Sequence, residues 1–334
     1  MGRCTLAPGL PSSWTLCASS FNWAPEIVAA RRTARDIVAG IADTAAKTIE
    51  LEPGLVWRSF PDPRGSEVDE LRNALAAKDA RISIVGASLD DFAPPARRRS
   101  LQERLDFLVP QLRAAHRVGA TGVRLPLGQA GTELLKLVQP LLHELNLVLL
   151  EEIQGQQILD SPATASALDA IAALGDGRIR VLVDISMLMP ALPVSYLGEL
   201  EQGGLAPDLM RRLAHDWRDP ATTDAVLDLL LTGKVPPRIH TLFMNLLIRL
   251  GRSSARDLQD ILPLVGAFHL KFWDLDDDGG RVSQPLRELG VLLSRHGFAG
   301  TLTSEWGGHE WLRDDPTDMT RRHLALAKEA LAAP

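Results

Sequence analysis

Short apolar runs recur eight times along this chain, at residues 14–18, 47–51, 81–87, 122–125, 147–152, 180–184, 265–271 and 300–305. Runs of four to seven residues with little polar alternation suit strands buried on both faces, as in a parallel sheet covered by helices. The stretches between them are longer and amphipathic, which predicts helices over 25–43, 67–78, 99–118, 133–144, 164–174, 283–296 and 317–331. Eight strand-helix units close most naturally into one α/β domain, a (β/α)8 barrel. At 334 residues and 46% apolar content the chain can fill such a core as a single domain over 1–334.

Punctuation along the chain keeps this register. Gly119-Ala-Thr-Gly122 follows a helix ending at Val118, and His296-Gly297-Phe298-Ala-Gly300 repeats the pattern before the eighth run. Both read as a left-handed helix cap leading into a strand. One spacing is irregular: about eighty residues separate Asp184 from the next run, where a plain crossover needs roughly thirty. The sequence therefore predicts a helical insertion between strands 6 and 7, at about 187–262, with helices over 207–217, 222–231 and 239–250. Two readings of it stand: a lid or partner surface at the carboxyl face, or extra helical packing on the outer wall.

Charged groups close four successive runs. Glu152 ends Leu147-Val-Leu-Leu-Glu-Glu152, Asp184 ends Ile179-Arg-Val-Leu-Val-Asp184, His269 ends Leu264-Val-Gly-Ala-Phe-His269, and Glu305 ends Thr301-Leu-Thr-Ser-Glu305. In a parallel barrel the carboxyl ends of all strands share one pole, where active sites are built. Three carboxylates and an imidazole brought together there predict a site for one divalent metal, Mn2+ foremost, with Mg2+, Co2+ or Zn2+ also suited. Strand alternation places Glu152, and not Glu151, on the interior face with Gln154, and places Lys271 beside His269.

The substrate-binding candidates follow from position. Gln154 can bind a hydroxyl; Lys271 can hold a substrate oxygen or phosphate, or pair with Asp274 or Asp276; His309, across Gly307-Gly308 from Glu305, is a substrate contact or a rim residue. Glu52 closes the second run, and Trp14, with Trp23 and Trp57, offers either a stacking platform for a sugar or a core residue. Asp274-Leu-Asp276-Asp-Asp278-Gly279 begins like a calcium loop, but its twelfth position is Pro285 and no helix precedes it, so calcium is not expected.

A formal net charge of −6 gives no general attraction to nucleic acid or anionic lipid. Arg97-Arg-Arg99 is a short basic cluster opening a helix, read as a solvated face. Cys4 and Cys17 are too few for a disulfide framework and are expected as free thiols. Pro8 and Pro11 interrupt the first twenty residues, which lack a signal-peptide core, and no window is long and apolar enough to span a bilayer. A cytoplasmic protein acting on a small molecule is the expectation, with no P-loop, Gly-x-Gly-x-x-Gly or Gly-x-Ser-x-Gly motif.

The runs Leu150-Glu-Glu-Ile-Gln154, Val183-Asp-Ile-Ser186, Phe268-His-Leu-Lys-Phe272 and Thr303-Ser-Glu-Trp-Gly-Gly-His309 resemble strand ends of the xylose isomerase-like TIM-barrel family of sugar phosphate isomerases and epimerases. The resemblance covers nearly the whole chain. It implies that Glu152, Asp184, His269 and Glu305 bind one divalent metal, and that Glu152 and Glu305 serve as proton-transfer groups on opposite faces of a carbohydrate substrate. Within the family, the His-x-Lys-Phe and Ser-Glu-aromatic-x-Gly-His runs look most similar to α subunits of C-glycoside deglycosidases, which cleave 3-oxo-glycosides with a small β subunit. Those relatives carry Glu-Ile-His on the fifth strand where this chain has Glu152-Ile153-Gln154. An amide takes no proton at neutral pH, so lyase chemistry here calls for another base such as His309.

Two functions follow from the resemblance: a metal-dependent sugar isomerase or epimerase working through an enediolate, or, alternatively, the metal-bearing α subunit of a carbon-carbon lyase. An endonuclease on the same barrel would need more histidine ligands and a basic groove, and a barrel that had lost its metal would be a non-catalytic partner. A homo-oligomer or a small β-subunit partner is consistent with either enzyme.

Overall fold

The computed structural model describes residues 9–333, so Cys4 lies outside the described residues. Eight parallel strands form the closed barrel expected from the eight runs. They are β1 (Trp14–Ser19), β2 (Thr48–Leu51), β3 (Arg81–Gly86), β4 (Gly122–Pro126), β5 (Val148–Ile153), β6 (Ile179–Asp184), β7 (Val265–Phe272) and β8 (Gly300–Trp306). Each strand pairs with its sequence neighbours, and β8 returns to β1. Helices Ala34–Thr44, Gly65–Ala76, Leu101–Val118, Thr132–Glu144, Pro162–Leu174, Ser283–Arg295 and Pro316–Ala332 belong to the strand-helix repeat.

The interior of the barrel is layered. Ile84, Leu150, Leu182 and Ala267 form a buried apolar cluster, with Val148 packed against it. Full burial of one such leucine stabilises the fold by about 1.5–3 kcal/mol. Two residues further along β5, β6 and β7 come Glu152, Asp184 and His269. The two-residue period of a strand puts them on the same interior face, one layer higher. Register aligns Asp184 with His269 and His269 with Thr303. An apolar plug thus supports a polar layer.

Local chemistry corrects several expectations. The helix expected over 25–43 is two, Ala24–Ala29 and Ala34–Thr44, because Ala30 takes a left-handed conformation with φ 52° and the Thr33 hydroxyl accepts the Asp36 N–H at 3.1 Å to restart it. Arg97-Arg-Arg99 does not open a helix. Phe92–Ala93 pairs with Arg97–Arg98 as an antiparallel ribbon, and the next helix begins at Leu101 behind a Ser100/Glu103 capping box. Trp14 opens β1 at the pole away from the strand ends, where its Nε1 donates to the Phe298 carbonyl at 3.0 Å. Trp14, Trp23 and Trp57 are all buried core residues. Cys17 is a free thiol, fully buried in β1, and burial pushes its pKa up to about 12.

Between β6 and β7, residues 185–264 carry helices Val194–Gln202, Pro207–His215 and Pro220–Leu231, single turns His240–Phe243 and Asn245–Ile248, and a 3-10 stretch Ala255–Leu264. They enclose an apolar cluster of their own around Tyr196, Leu213, Phe243 and Leu246, which takes in Trp273 from beyond β7. Gly155 and Gly251 seat this segment on the barrel. A Cβ at Gly155, whose φ is 57°, would lie 2.1 Å from the Ile248 carbonyl oxygen, and one at Gly251 would lie 2.3 Å from the Met187 Cα. Only glycine permits backbones this close, and the approach carries Ile248 and Arg249 to the barrel mouth. Among the described residues no helix is long and apolar enough to cross a membrane.

The last helix seals β8 from outside. Asn22 donates to the Ser304 carbonyl at 3.2 Å and to the Thr320 hydroxyl at 2.9 Å, and accepts the Trp306 N–H at 2.7 Å. His323 stacks on Phe272 with ring centroids 3.8 Å apart and places Nδ1 2.8 Å from the Ser304 hydroxyl. Burial pushes its pKa down to about 3. An unfolded histidine titrates near pH ~6.5, so between there and pH 3 the unfolded chain binds the extra proton and stability falls as pH falls. Urea unfolding of the metal-free protein at pH 7 and pH 4.5 is expected to show a larger loss for the natural chain than for His323→Gln. The difference is bounded by about 1.4 kcal/mol per pH unit, and equal losses would contradict it.

Candidate metal centre

The centre is built around His269, which β7 carries fully buried into the polar layer. Its Nε2 lies 2.8 Å from Glu50 Oε1. Its Nδ1 faces the other way, 2.8 Å from Glu152 Oε1, 3.0 Å from Glu305 Oε2 and 3.8 Å from Asp184 Oδ2. Nδ1 has no hydrogen-bond partner among the described residues although these oxygens surround it. One donor atom each from Glu152, Asp184 and His269 fall within 4.8 Å of one another. β5, β6 and β7 therefore converge as the strand ends suggest, and Glu305 joins from β8.

Carboxylates are held in place from behind. Asp184 Oδ1 accepts the Ser186 N–H at 2.7 Å, which fixes the turn after β6. Arg124, on β4, gives Nε to Glu50 Oε1 at 3.0 Å, Nη1 to Glu152 Oε2 at 2.7 Å and Nη2 to Glu52 Oε2 at 3.0 Å. Lys271 pairs with Glu305 and lies 5.2 Å from the Phe21 ring centre. Asp274, one partner considered for Lys271, instead accepts hydrogen bonds from Ser195.

Burial alone would raise the carboxyl pKa values. Arg124 and then His269 outweigh it at Glu152, and His269 with Lys271 outweighs it at Glu305, so both are held below the ordinary carboxylate range. Burial would lower His269, but Glu305, Glu50 and Glu152 hold the imidazole well above its usual value. Glu52 is pushed up by burial and by Glu305, Glu50 and Glu152, against the pull of Arg124.

Above this floor opens a pocket of about 650 Å3. Glu52, Arg124, Glu152, Asp184, Lys271 and Glu305 line its base, Phe21, Leu55, Ile248 and Trp273 contribute apolar wall, and Gln154, Gln157 and Arg249 add polar groups. The volume suits a small organic ligand. Of the proposed substrate groups, Gln154, Lys271 and Glu52 line the pocket. His309 does not: its ring packs against Phe21 at 4.7 Å and Trp306 at 5.5 Å, and burial pushes it towards the neutral form. Trp14 is remote from the pocket lining. Glu151 faces away from the interior and accepts the Gly128 N–H at 3.0 Å.

Sequence reasoning missed Glu50 and Arg124. Their signal is a charged residue in mid-strand: Glu50 shares its parity with Glu52 in Thr48-Ile-Glu-Leu-Glu52, and Arg124 sits at the centre of Gly122-Val-Arg-Leu-Pro126. In strands covered on both faces such a residue has nowhere to go but the interior.

No family profile matches the chain. The barrel superposes on a D-psicose 3-epimerase, with a TM-score of 0.59, 12% identity, and coverage of 95% of this chain and 99% of that one. The fold is that of the xylose isomerase-like barrels. A 3-keto-D-glucoside 4-epimerase from E. coli has the same xylose isomerase-like fold, at TM-score 0.53 and 12% identity over 93% of this chain and 98% of that one. By sequence the chain is similar to a C-glycoside deglycosidase α subunit of Arthrobacter globiformis, 25% identical over 320 residues, covering 93% of this chain and 90% of the relative. All three of these proteins are sugar-processing enzymes.

Among the described residues Arg124 is the one cation paired with all of Glu50, Glu52 and Glu152. Removing one member of a buried ion pair costs about 3–5 kcal/mol, so Arg124→Leu is expected to lower the unfolding free energy of the metal-free protein by that order. Chemical denaturation checks it; a loss below about 1 kcal/mol, the scale of an exposed pair, would contradict it.

Proposed function

We propose that this chain is a divalent-metal-dependent enzyme that removes a proton next to a carbonyl in a carbohydrate, and that it acts as a sugar isomerase or epimerase. The observation that carries the reading is the buried Nδ1 of His269, without a hydrogen-bond partner and surrounded by oxygens of Glu152, Asp184 and Glu305 at the base of an open pocket. An imidazole nitrogen among carboxylate oxygens is a donor set for a hard or borderline divalent ion, and Mn2+ suits it best, ahead of Mg2+, Co2+ and Zn2+. Glu152, Asp184, His269 and Glu305 would hold the ion. When bound, it supplies positive charge for the oxygen on which an enediolate's negative charge develops.

The chain's own residues do the rest. Glu152 from β5 and Glu305 from β8 reach the pocket base from strands separated by β6 and β7, so one can take a proton from one face of a sugar carbon and the other can serve the opposite face. Both are kept ionised by their cationic neighbours, as a general base requires. At the base Lys271 donates to a substrate hydroxyl or carbonyl oxygen and Glu52 accepts from a hydroxyl, and Gln154 on the wall binds a further hydroxyl. Phe21, Leu55, Ile248 and Trp273 limit access of water to the reacting carbon.

A second reading rests on the sequence similarity that spans 93% of the chain: the chain is the metal-bearing α subunit of a C-glycoside deglycosidase, a lyase with a small β subunit. Gln154 and the inward-packed His309 leave it without a neutral-pH imidazole in the pocket, which favours the first reading. In either, the whole chain is read as one barrel domain with residues 187–262 as its helical insertion.

Metal-stripped protein reconstituted with Mn2+ is expected to catalyse exchange of a substrate C–H with deuterated solvent when given ketohexoses or 3-keto-glucosides. Glu152→Ala and His269→Ala should each reduce the exchange at least ~100-fold, on the scale of a lost acid-base group. Release of an aglycone from a 3-oxo-C-glycoside, requiring an added β subunit, would move the assignment to the lyase. Exchange that persists in both variants would sink the reading altogether.

A further inference from the structure

Glu50 has no part in the chemistry above, yet it is a fully buried carboxylate in contact with the centre. It lies in the middle of β2, 1% exposed, and does not line the pocket. A carboxylate so placed costs several kcal/mol of desolvation unless its oxygens are occupied. They are: Oε1 accepts from His269 Nε2 at 2.8 Å and from Arg124 Nε at 3.0 Å, and Oε2 accepts from the Thr303 hydroxyl at 2.9 Å. Four strands, β2, β4, β7 and β8, thus meet on one side chain.

The consequence falls on the imidazole. A hydrogen bond from Nε2 to Glu50 leaves Nδ1 as the nitrogen aimed at Glu152, Asp184 and Glu305. A half-turn of the ring about its Cβ–Cγ axis would present carbon atoms to both sides and abandon the Glu50 bond. Thr303 and Arg124 in turn stop the carboxylate from turning away. We propose that Glu50 is a positioning residue, fixing the tautomer and orientation of His269 so that Nδ1 is offered as a ligand to a divalent metal. The inference rests on the metal reading of the preceding subsection.

The test uses the full chain, stripped of metal, with Mn2+ alone as the probe. Titration calorimetry is expected to show Mn2+ binding to Glu50→Gln weakened about 10–100-fold, and Thr303→Val, which removes only the support on Oε2, weakened several-fold. Pulsed electron paramagnetic resonance should report imidazole nitrogen coupling to Mn2+ in the natural chain and its loss or broadening in Glu50→Gln, a signature that general loosening of the barrel does not produce. Metal-free Thr303→Val should melt below the natural chain, because Glu50 Oε2 loses its hydroxyl partner, so the Mn2+ titrations are compared at a temperature where both are folded. Tight Mn2+ binding with unchanged nitrogen coupling in Glu50→Gln overturns the inference and leaves the metal site standing. If Glu50→Gln does not fold, unchanged affinity in Thr303→Val overturns it. No Mn2+ binding by the natural chain defeats the metal reading itself.

Discussion

A single imidazole between opposed groups of carboxylates organises this molecule. His269 is fully buried, with Glu50 on one side and Glu152, Asp184 and Glu305 on the other. So many acidic groups in one barrel core repel each other, and burying them is unfavourable unless positive charge is close. Arg124 and Lys271 supply part of it, each bonded to carboxylates of the centre. The remaining acidity is what a divalent ion would neutralise. The fold's main service is to make that concentration of charge structurally tolerable.

It does so by layering. The apolar set Ile84, Leu150, Leu182 and Ala267 closes the barrel below the charges, and the strand period lifts the functional groups two residues above it. The segment between β6 and β7 adds the wall, docked through Gly155 and Gly251, where no side chain fits. Its middle part, Met189 to Leu250, packs on an apolar cluster of its own, while Met187, Leu188, Leu258 and Leu262 tie its two ends to the barrel core. Ile248 and Arg249, which lie against Gly155, are then fixed over the pocket and not free on a loop.

The barrel itself was legible because eight mostly apolar runs separated by longer amphipathic stretches admit few other arrangements, and observed strand limits differ from the runs by one residue at most. The convergence of Glu152, Asp184, His269 and Glu305 was legible because all four stand at the carboxyl ends of their strands, which share one pole of a parallel barrel. The break at Ala30 was not, since alanine gives no sign of a left-handed backbone. Trp14 was misplaced although its position held the answer: a residue that opens a strand belongs to the opposite pole. His309 reads as a pocket residue from its spacing to Glu305, and only packing against Phe21 and Trp306 shows it turned aside. Glu50 and Arg124 carry a local sign of interior placement, a charge in mid-strand, but the partners they meet there, His269, Thr303 and Glu152, lie on strands distant in sequence.

Crystals of the protein grown with Mn2+ and measured at the manganese absorption edge would test the central claim most directly. The account predicts one strong anomalous peak in the barrel, bonded to His269 Nδ1 and to oxygens of Glu152, Asp184 and Glu305. A peak bound elsewhere, or a barrel in which His269 Nδ1 instead hydrogen-bonds a carboxylate with manganese in excess, would contradict it.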